Sequence, residues 1–104
     1  MSHKIYVAGP YEANSPLERE SNVRHAIEVG EIIIKEGNIP FIPHLYHYWN
    51  IMHPHPKEYW MELDRQWLLS CDILYRLPGP SEGADEEVKI AVANGIPVSY
   101  RNWR

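Results

Sequence analysis

The sequence predicts an α/β fold: a three-layer sandwich with a parallel sheet of four to five strands and helices on both faces. Two observations carry this. Short β-branched or aromatic runs recur at residues 4–8, 39–42, 72–75 and 96–100. Between them lie longer segments whose apolar residues fall at helical spacing. Such alternation places ligands outside the carboxyl ends of the strands. The loops after Ala8, Ile42 and Tyr75 are therefore the segments where a site is expected.

Each element has its own signal. Lys4-Ile5-Tyr6-Val7-Ala8 reads as a buried strand that Gly9-Pro10 stops. Ser15-Pro16-Leu17-Glu18 reads as a helix start, with Ser15 as cap, Pro16 in the first position and Glu18 closing a capping box. Val23, Ile27, Gly30 and Ile34 give that helix its apolar line, and Gly37 ends it. Ile39 to Ile42 forms a second strand. Residues 43–56, rich in His, Tyr and Pro, read as a functional loop or a broken helix. A helix follows from about Pro56 to Ser70, then a strand over 72–75. Residues 77–82 read as a loop. Ala84 to Asn94 reads as a helix closed by Gly95, and Ile96 to Tyr100 as a last strand whose Pro97 weakens its start.

Composition narrows the class. The 104 residues are 44% hydrophobic and 23% charged, which suits one folded domain over 1–104. Ten Lys and Arg against fourteen Asp and Glu give a net charge of -4. That balance lacks the footprint of a nucleic-acid polymer binder but leaves free nucleotides open. One cysteine, Cys71, excludes an intrachain disulfide framework and a thiolate zinc cluster. It reads as a buried structural thiol. No apolar run reaches the length of a membrane span, and the cytoplasm is the expected compartment.

Two carboxylates stand out. Trp60, Leu63, Trp67 and Leu68 form the apolar stripe of their helix, and Asp64 falls inside it. A carboxylate there needs either a structural partner or a task. In the last helix, Ala84, Val88, Ala91 and Val92 mark the buried stripe. Glu87 borders it, while Glu86 and Lys89 point to solvent. Acids favour a helix start, which explains Asp85, Glu86 and Glu87 as a group. The same field is expected to keep Glu87 ionised, which suits a nucleophile.

Other candidates are weaker. Neither G-x-G-x-x-G nor G-x-x-x-x-G-K-[ST] occurs, so Gly9-Pro10 is either a plain turn or a close approach to a ligand. His44, His47, His53 and His55 raise the question of a metal, but no H-E-x-x-H spacing is present and prolines interrupt them. No metal is expected, and His44, just after the second strand, is expected to line a pocket. Tyr46, Tyr48, Trp49, Tyr59 and Trp60 suit core or dimer contacts, or a flat aromatic ligand.

Four motifs in order resemble the nucleoside 2-deoxyribosyltransferase superfamily, in particular its short members. They are Ile5-Tyr6-Val7-Ala8-Gly9-Pro10, Asp64-Arg65-Gln66-Trp67-Leu68 leading to Cys71-Asp72-Ile73, Ser81 to Glu87, and Ala91 with Gly95-Ile96-Pro97-Val98. The resemblance runs from Lys4 to Val98. It implies a flavodoxin-like, Rossmann-like sheet and cleavage of an N-glycosidic bond, with no cofactor. It also implies roles. Glu87, four residues after Gly83, matches the nucleophile, and Asp64 matches the aspartate of the preceding helix. Tyr6 matches the first-strand tyrosine, Ser81 the pocket residue six before the nucleophile, and Gly9 the backbone lining the sugar. Pro10 and Gly83 accompany them. Nucleotide-using members hold a 5'-phosphate where residues 11–22 lie here, so Ser15, Arg19 and Ser81 are the candidate phosphate ligands. Transferase members use a longer C-terminal part to complete a neighbour's site, which makes a homodimer or higher homo-oligomer the expectation. Asn102 and Trp103 are the residues here with a chance of reaching across. Transfer to another base and hydrolysis both remain open. The alternatives are a non-catalytic nucleotide-binding module and a small interaction domain.

Overall fold

The computed structural model describes residues 2–100. Asn102 and Trp103 lie outside them. Four strands alternate with helices: β1 (Lys4–Ala8), α1 (Pro16–Lys35), β2 (Ile39–Phe41), α2 (Tyr46–Met52), α3 (Lys57–Leu69), β3 (Ile73–Arg76), α4 (Glu82–Ala93) and β4 (Val98–Ser99). A 3-10 turn over Pro43–Leu45 leads into α2. The segment 43–56 is thus the broken helix. Among the described residues, no helix is long and apolar enough to cross a membrane.

All strand pairs are parallel, in the order β2-β1-β3-β4. β1 is central because both its faces are apolar, as a parallel sheet covered on both sides requires. Ile5 and Val7 pack with Val29 and Ile33 of α1 and with Leu77. Tyr6 and Ala8 point the other way, against Leu68 of α3 and Ala84 and Ala91 of α4. The order reverses at β1, since the chain goes to β2 on one side and to β3 on the other. A crevice at that reversal is where parallel α/β sheets hold ligands.

The helix starts and stops follow local chemistry. Ser15 Oγ accepts from the Glu18 backbone N–H at 3.1 Å. Gly37 takes the left-handed conformation after α1, at φ +85°. The apolar line of α1 is shifted from that expected: Val23, Ala26, Val29, Gly30 and Ile33 are buried, whereas Ile27 and Ile34 are exposed. Helices α2 and α3 are joined through Asn50. Its Oδ1 accepts from Trp60 Nε1 at 2.7 Å and from the His55 backbone at 3.0 Å.

Two further expectations need correction. α4 begins at Glu82, two residues before Ala84, because Ser81 caps it by accepting from the Ala84 N–H at 3.1 Å. Glu87 therefore sits in the second turn. Val92 is exposed, so the inward face of α4 runs through Ala84, Val88 and Ala91 with Glu87 beside them.

Candidate active site

Three of the expected residues meet on the face of the sheet that α3 and α4 cover. β1 buries Tyr6 completely on the face that α3 and α4 cover. α4 turns Glu87 inward, and the Tyr6 hydroxyl donates to Glu87 Oε2. Burial, then the charges of Glu87 and Asp64, push the Tyr6 hydroxyl well above its usual range. It therefore stays protonated and acts as a donor.

Glu87 is held differently from the expectation. The helix dipole acts mainly over the first turn, and Glu87 lies beyond it. Burial dominates and pushes its carboxyl up to about 8. The Tyr6 hydrogen bond opposes this, the Asp64 charge adds to it, and Arg76 lowers it.

Asp64 is half-buried beside the apolar stripe of α3. Burial pushes it up to about 7. Its Oδ1 is enclosed and has no hydrogen-bond partner. A buried polar atom left unmatched by the protein costs free energy and marks a place where a ligand can supply the missing group. Aromatic rings surround this corner. Phe41 lies 5.5 Å from Tyr6 and stacks on Trp67 at 5.0 Å, and Tyr46 stacks on Trp60 at 5.1 Å. Burial pushes the Tyr46 hydroxyl up, and the Asp64 charge adds to it. These rings cover the core while Trp67 remains 46% exposed beside the acid.

The loops around the site are locked to each other. A Cβ on Gly9 would lie 2.9 Å from Leu77 Cβ. The close approach at Gly9 is thus to the loop after β3, not to open space. A Cβ on Gly79, which has φ +112°, would lie 2.9 Å from Pro10 Cγ. His44 is buried and its Nε2 lies 3.1 Å from the Pro10 carbonyl. Burial lowers its pKa, against the nearby Pro10 and Gly9 carbonyls. His44 supports the Gly9-Pro10 loop from behind. Ser81 has its oxygen engaged as the α4 cap, with its own proton free to donate. Gly83 is exposed, with nothing within 4 Å of where a Cβ would stand.

Arg19 lies apart from this constellation. It donates to the Ala13 carbonyl at 3.0 Å and lines an open cleft of about 400 Å³ with Tyr11, Glu12, Pro16, His47, Asn50 and Ile51. Tyr6, Asp64 and Glu87 do not line that cleft. Ser15 is occupied as the α1 cap. The histidines go to separate partners: His44 to Pro10, His47 to Tyr11 at 2.7 Å, and His55 onto the Tyr59 ring. Among the described residues no three His, Cys, Asp or Glu are grouped to hold a metal ion.

One residue carries no sequence motif. Periodicity ends the third strand at Tyr75, yet β3 continues to Arg76, which is buried. Its guanidinium donates to the carbonyls of Leu77 at 2.5 Å and Gly79 at 3.1 Å, and to Asp85 Oδ1 at 2.9 Å. The signal available in the sequence is an arginine following an apolar strand directly, at the ligand end of the sheet.

A parallel sheet with a strand-order reversal, covered by helices on both faces, defines a Rossmann-like α/β protein whose fold is similar to that of nucleoside deoxyribosyltransferases. The likeness is borne by a solved 2-deoxyribosyltransferase from the psychrotolerant bacterium Bacillus psychrosaccharolyticus. It superposes with a TM-score of 0.65 at 16% identity, over 97% of this chain and 77% of that one. Residues 3–101 match the family described as Domain of unknown function (DUF7768), and the chain belongs to that family. No curated protein matches the chain.

Proposed function

We propose that this chain cleaves the N-glycosidic bond of a nucleoside or nucleoside 5'-monophosphate through a covalent glycosyl-glutamate intermediate. The observation that carries the reading is the half-buried Glu87, its carboxyl held by the Tyr6 hydroxyl, with Asp64 close enough for their charges to interact. In the first step a Glu87 oxygen bonds to the anomeric carbon as the bond to the base breaks. The bonding pair leaves with the base nitrogen, and protonated Asp64 supplies its proton. In the second step water or another base attacks the same carbon, Glu87 departs as carboxylate, and Asp64 recovers a proton.

The chemistry needs one proton shared between the two acids; Glu87, pushed the higher, holds it in the free chain, and it must pass to Asp64 for the attack to occur. With one carboxyl near 7 and the other near 8, the singly protonated pair is most populated just above neutrality. Positive charge developing on the sugar favours the ionised Glu87 in that pair. Tyr6 holds the attacking oxygen, and the locked Gly9-Pro10 loop forms the wall on which the sugar rests.

The test is a panel of nucleosides and 5'-monophosphates, with and without a free acceptor base, followed by chromatography. Base release is expected from the native chain and should fall by about 10³-fold or more in Glu87→Ala. New nucleoside in the presence of acceptor would mark transfer, and free sugar would mark hydrolysis. A pH–rate bell is expected, with Asp64→Asn losing its alkaline limb. Tight binding of panel members with no Glu87-dependent release would instead make the chain a nucleotide-binding module.

A further inference from the structure

The loop between β1 and α1 is pinned by side chains. The Pro10 carbonyl lies 3.1 Å from His44 Nε2. The Tyr11 carbonyl accepts from Asn22 Nδ2 at 3.0 Å, and the Ala13 carbonyl accepts from Arg19 at 3.0 Å. The Tyr11 ring meets the rings of His44 and His47 edge-on, at 6.4 and 5.5 Å. Its hydroxyl lies 2.7 Å from His47 Nδ1. The other ring nitrogen of His47, Nε2, faces Glu20 Oε2 at 3.4 Å. Glu20 is anchored in turn: its Oε1 accepts from the Tyr48 hydroxyl at 2.8 Å and lies 3.6 Å from Arg24 Nε. A relay Glu20–His47–Tyr11 thus runs from α1 through α2 to the cleft beside this loop. Tyr11 and His47 both line that cleft.

We infer that this relay is a proton-linked switch: the charge state of His47 decides whether the Tyr11 hydroxyl offers the cleft an acceptor or a donor. A neutral imidazole carries one ring proton. The Glu20 carboxylate favours it on Nε2, since the other tautomer sets a lone pair against an anion. Nδ1 is then the acceptor, and Tyr11 donates to it. In that state the Tyr11 oxygen has only lone pairs left for the cleft. When His47 takes a proton from water on Nδ1, both ring nitrogens become donors. The Tyr11 oxygen then accepts from Nδ1–H, and its own proton turns away from His47 into the cleft. No heavy atom has to move. A ligand group that donates, such as an amine or a hydroxyl, fits the neutral state. One that accepts, such as a carboxylate or a carbonyl, fits the protonated state. Burial and the Glu12 charge raise the Tyr11 hydroxyl, against Arg19, so the phenol keeps the proton that changes direction. Burial lowers His44, against the Pro10 and Gly9 carbonyls, so His44 remains a neutral post behind the loop. Among the described residues, the other titratable or charged groups around His47 are Glu20 and Arg24 of α1, Tyr48 of α2 with its ring at 5.0 Å, and Glu12 and Arg19 at the cleft. The inference goes beyond the glycosidase reading and holds whether or not Glu87 attacks a sugar.

The test reads both ends of the relay by NMR, with nitrogen-15 in the histidine rings and carbon-13 at the tyrosine ζ carbons. Tyr11→Phe and His47→Gln assign the two signals. Neutral His47 should carry its proton on Nε2. On acidification the Tyr11 ζ carbon should move upfield, as the phenol gives up its bond to the ring, at the same midpoint as the His47 nitrogens. In His47→Gln that step should vanish. In Glu20→Gln the neutral ring loses the anion that selects its tautomer, so the proton should divide between Nε2 and Nδ1. A neutral ring protonated on Nδ1 in the native chain overturns the inference. So does a Tyr11 signal with no step at the His47 midpoint. Should His47→Gln fail to fold, the native and Glu20→Gln spectra decide, because the Glu20 side chain is 29% exposed and glutamine keeps its shape.

Discussion

Glu87 and Asp64 have been taken out of water further than they have been compensated, and this has a measurable sign. The ordinary carboxylate values are 4.5 and 3.8, and in the folded chain they rise to about 8 and about 7. The folded state thus binds more protons than the unfolded one across that range. Stability should fall as pH climbs from about 5 to 8 and level off above, the reverse of a salt-bridged acid. Replacing Glu87 with Gln removes the cost of the buried charge. Thermal melts should show Glu87→Gln gaining roughly 2–4 kcal/mol over the native chain at pH 9 and almost nothing at pH 5. Equal gains at both pH values would mean that packing, and not charge, distinguishes the two side chains. A group held at such a cost is typical of catalytic carboxyls, and the same trade of stability for chemistry is common at active sites.

At the scale of elements, the loops after β1 and β3 behave as one unit. Gly9 has no room for a methyl group beside Leu77, and both residues belong to loops whose backbones Arg76 and His44 fix. Gly9→Ala should therefore destabilise the fold by about 1–3 kcal/mol and shift the wall that the two loops form. Chemical denaturation checks the first effect, and KM for the best panel substrate checks the second. The elements themselves were largely legible. Strand runs bounded by glycine and proline, and the Ser15-Pro16 start, have direct local causes. Where the reading slipped, the local signal was ambiguous. α1 carries isoleucines on both sides of its apolar line, so Ile27 and Ile34 competed with Ala26 and Ile33 for the core. α4 has Ala84, not an acid, three residues after its cap, so the reciprocal half of a capping box is missing and the start looked later. The position of Glu87 was legible from rotation, but its environment was not. A helix-start field was expected where burial in fact governs. Arg76 went unremarked because its bonds are to loop carbonyls and a distant acid, which no local pattern encodes.

Across the whole molecule the centre of the sheet and the centre of the site coincide. β1 pairs on both edges and buries both faces, while β2 and β4 sit at the edges with three and two residues. Amide hydrogen exchange should accordingly be slowest for Ile5, Tyr6 and Val7, exchanging only when the entire fold opens, and fast in β4. Faster exchange in β1 than in β4 would mean that the two core clusters open separately.

The bond between Tyr6 and Glu87 joins residues 81 apart in sequence, and it crosses the chain's natural parting line. Residues 53–56 are exposed and belong to no helix or strand. A cut there leaves β2 and β1 on one fragment, with Tyr6, Gly9 and His44. The other keeps β3 and β4, with Asp64, Arg76 and Glu87. Neither fragment owns the Glu87 carboxyl together with the hydroxyl that holds it. The seam between them includes the β1–β3 pairing and the ring stacks of Phe41 on Trp67 and Tyr46 on Trp60, so two separately made pieces would regain a complete site only by finding each other. The protein is in that sense a reporter waiting to be divided, in which function can be made to depend on encounter.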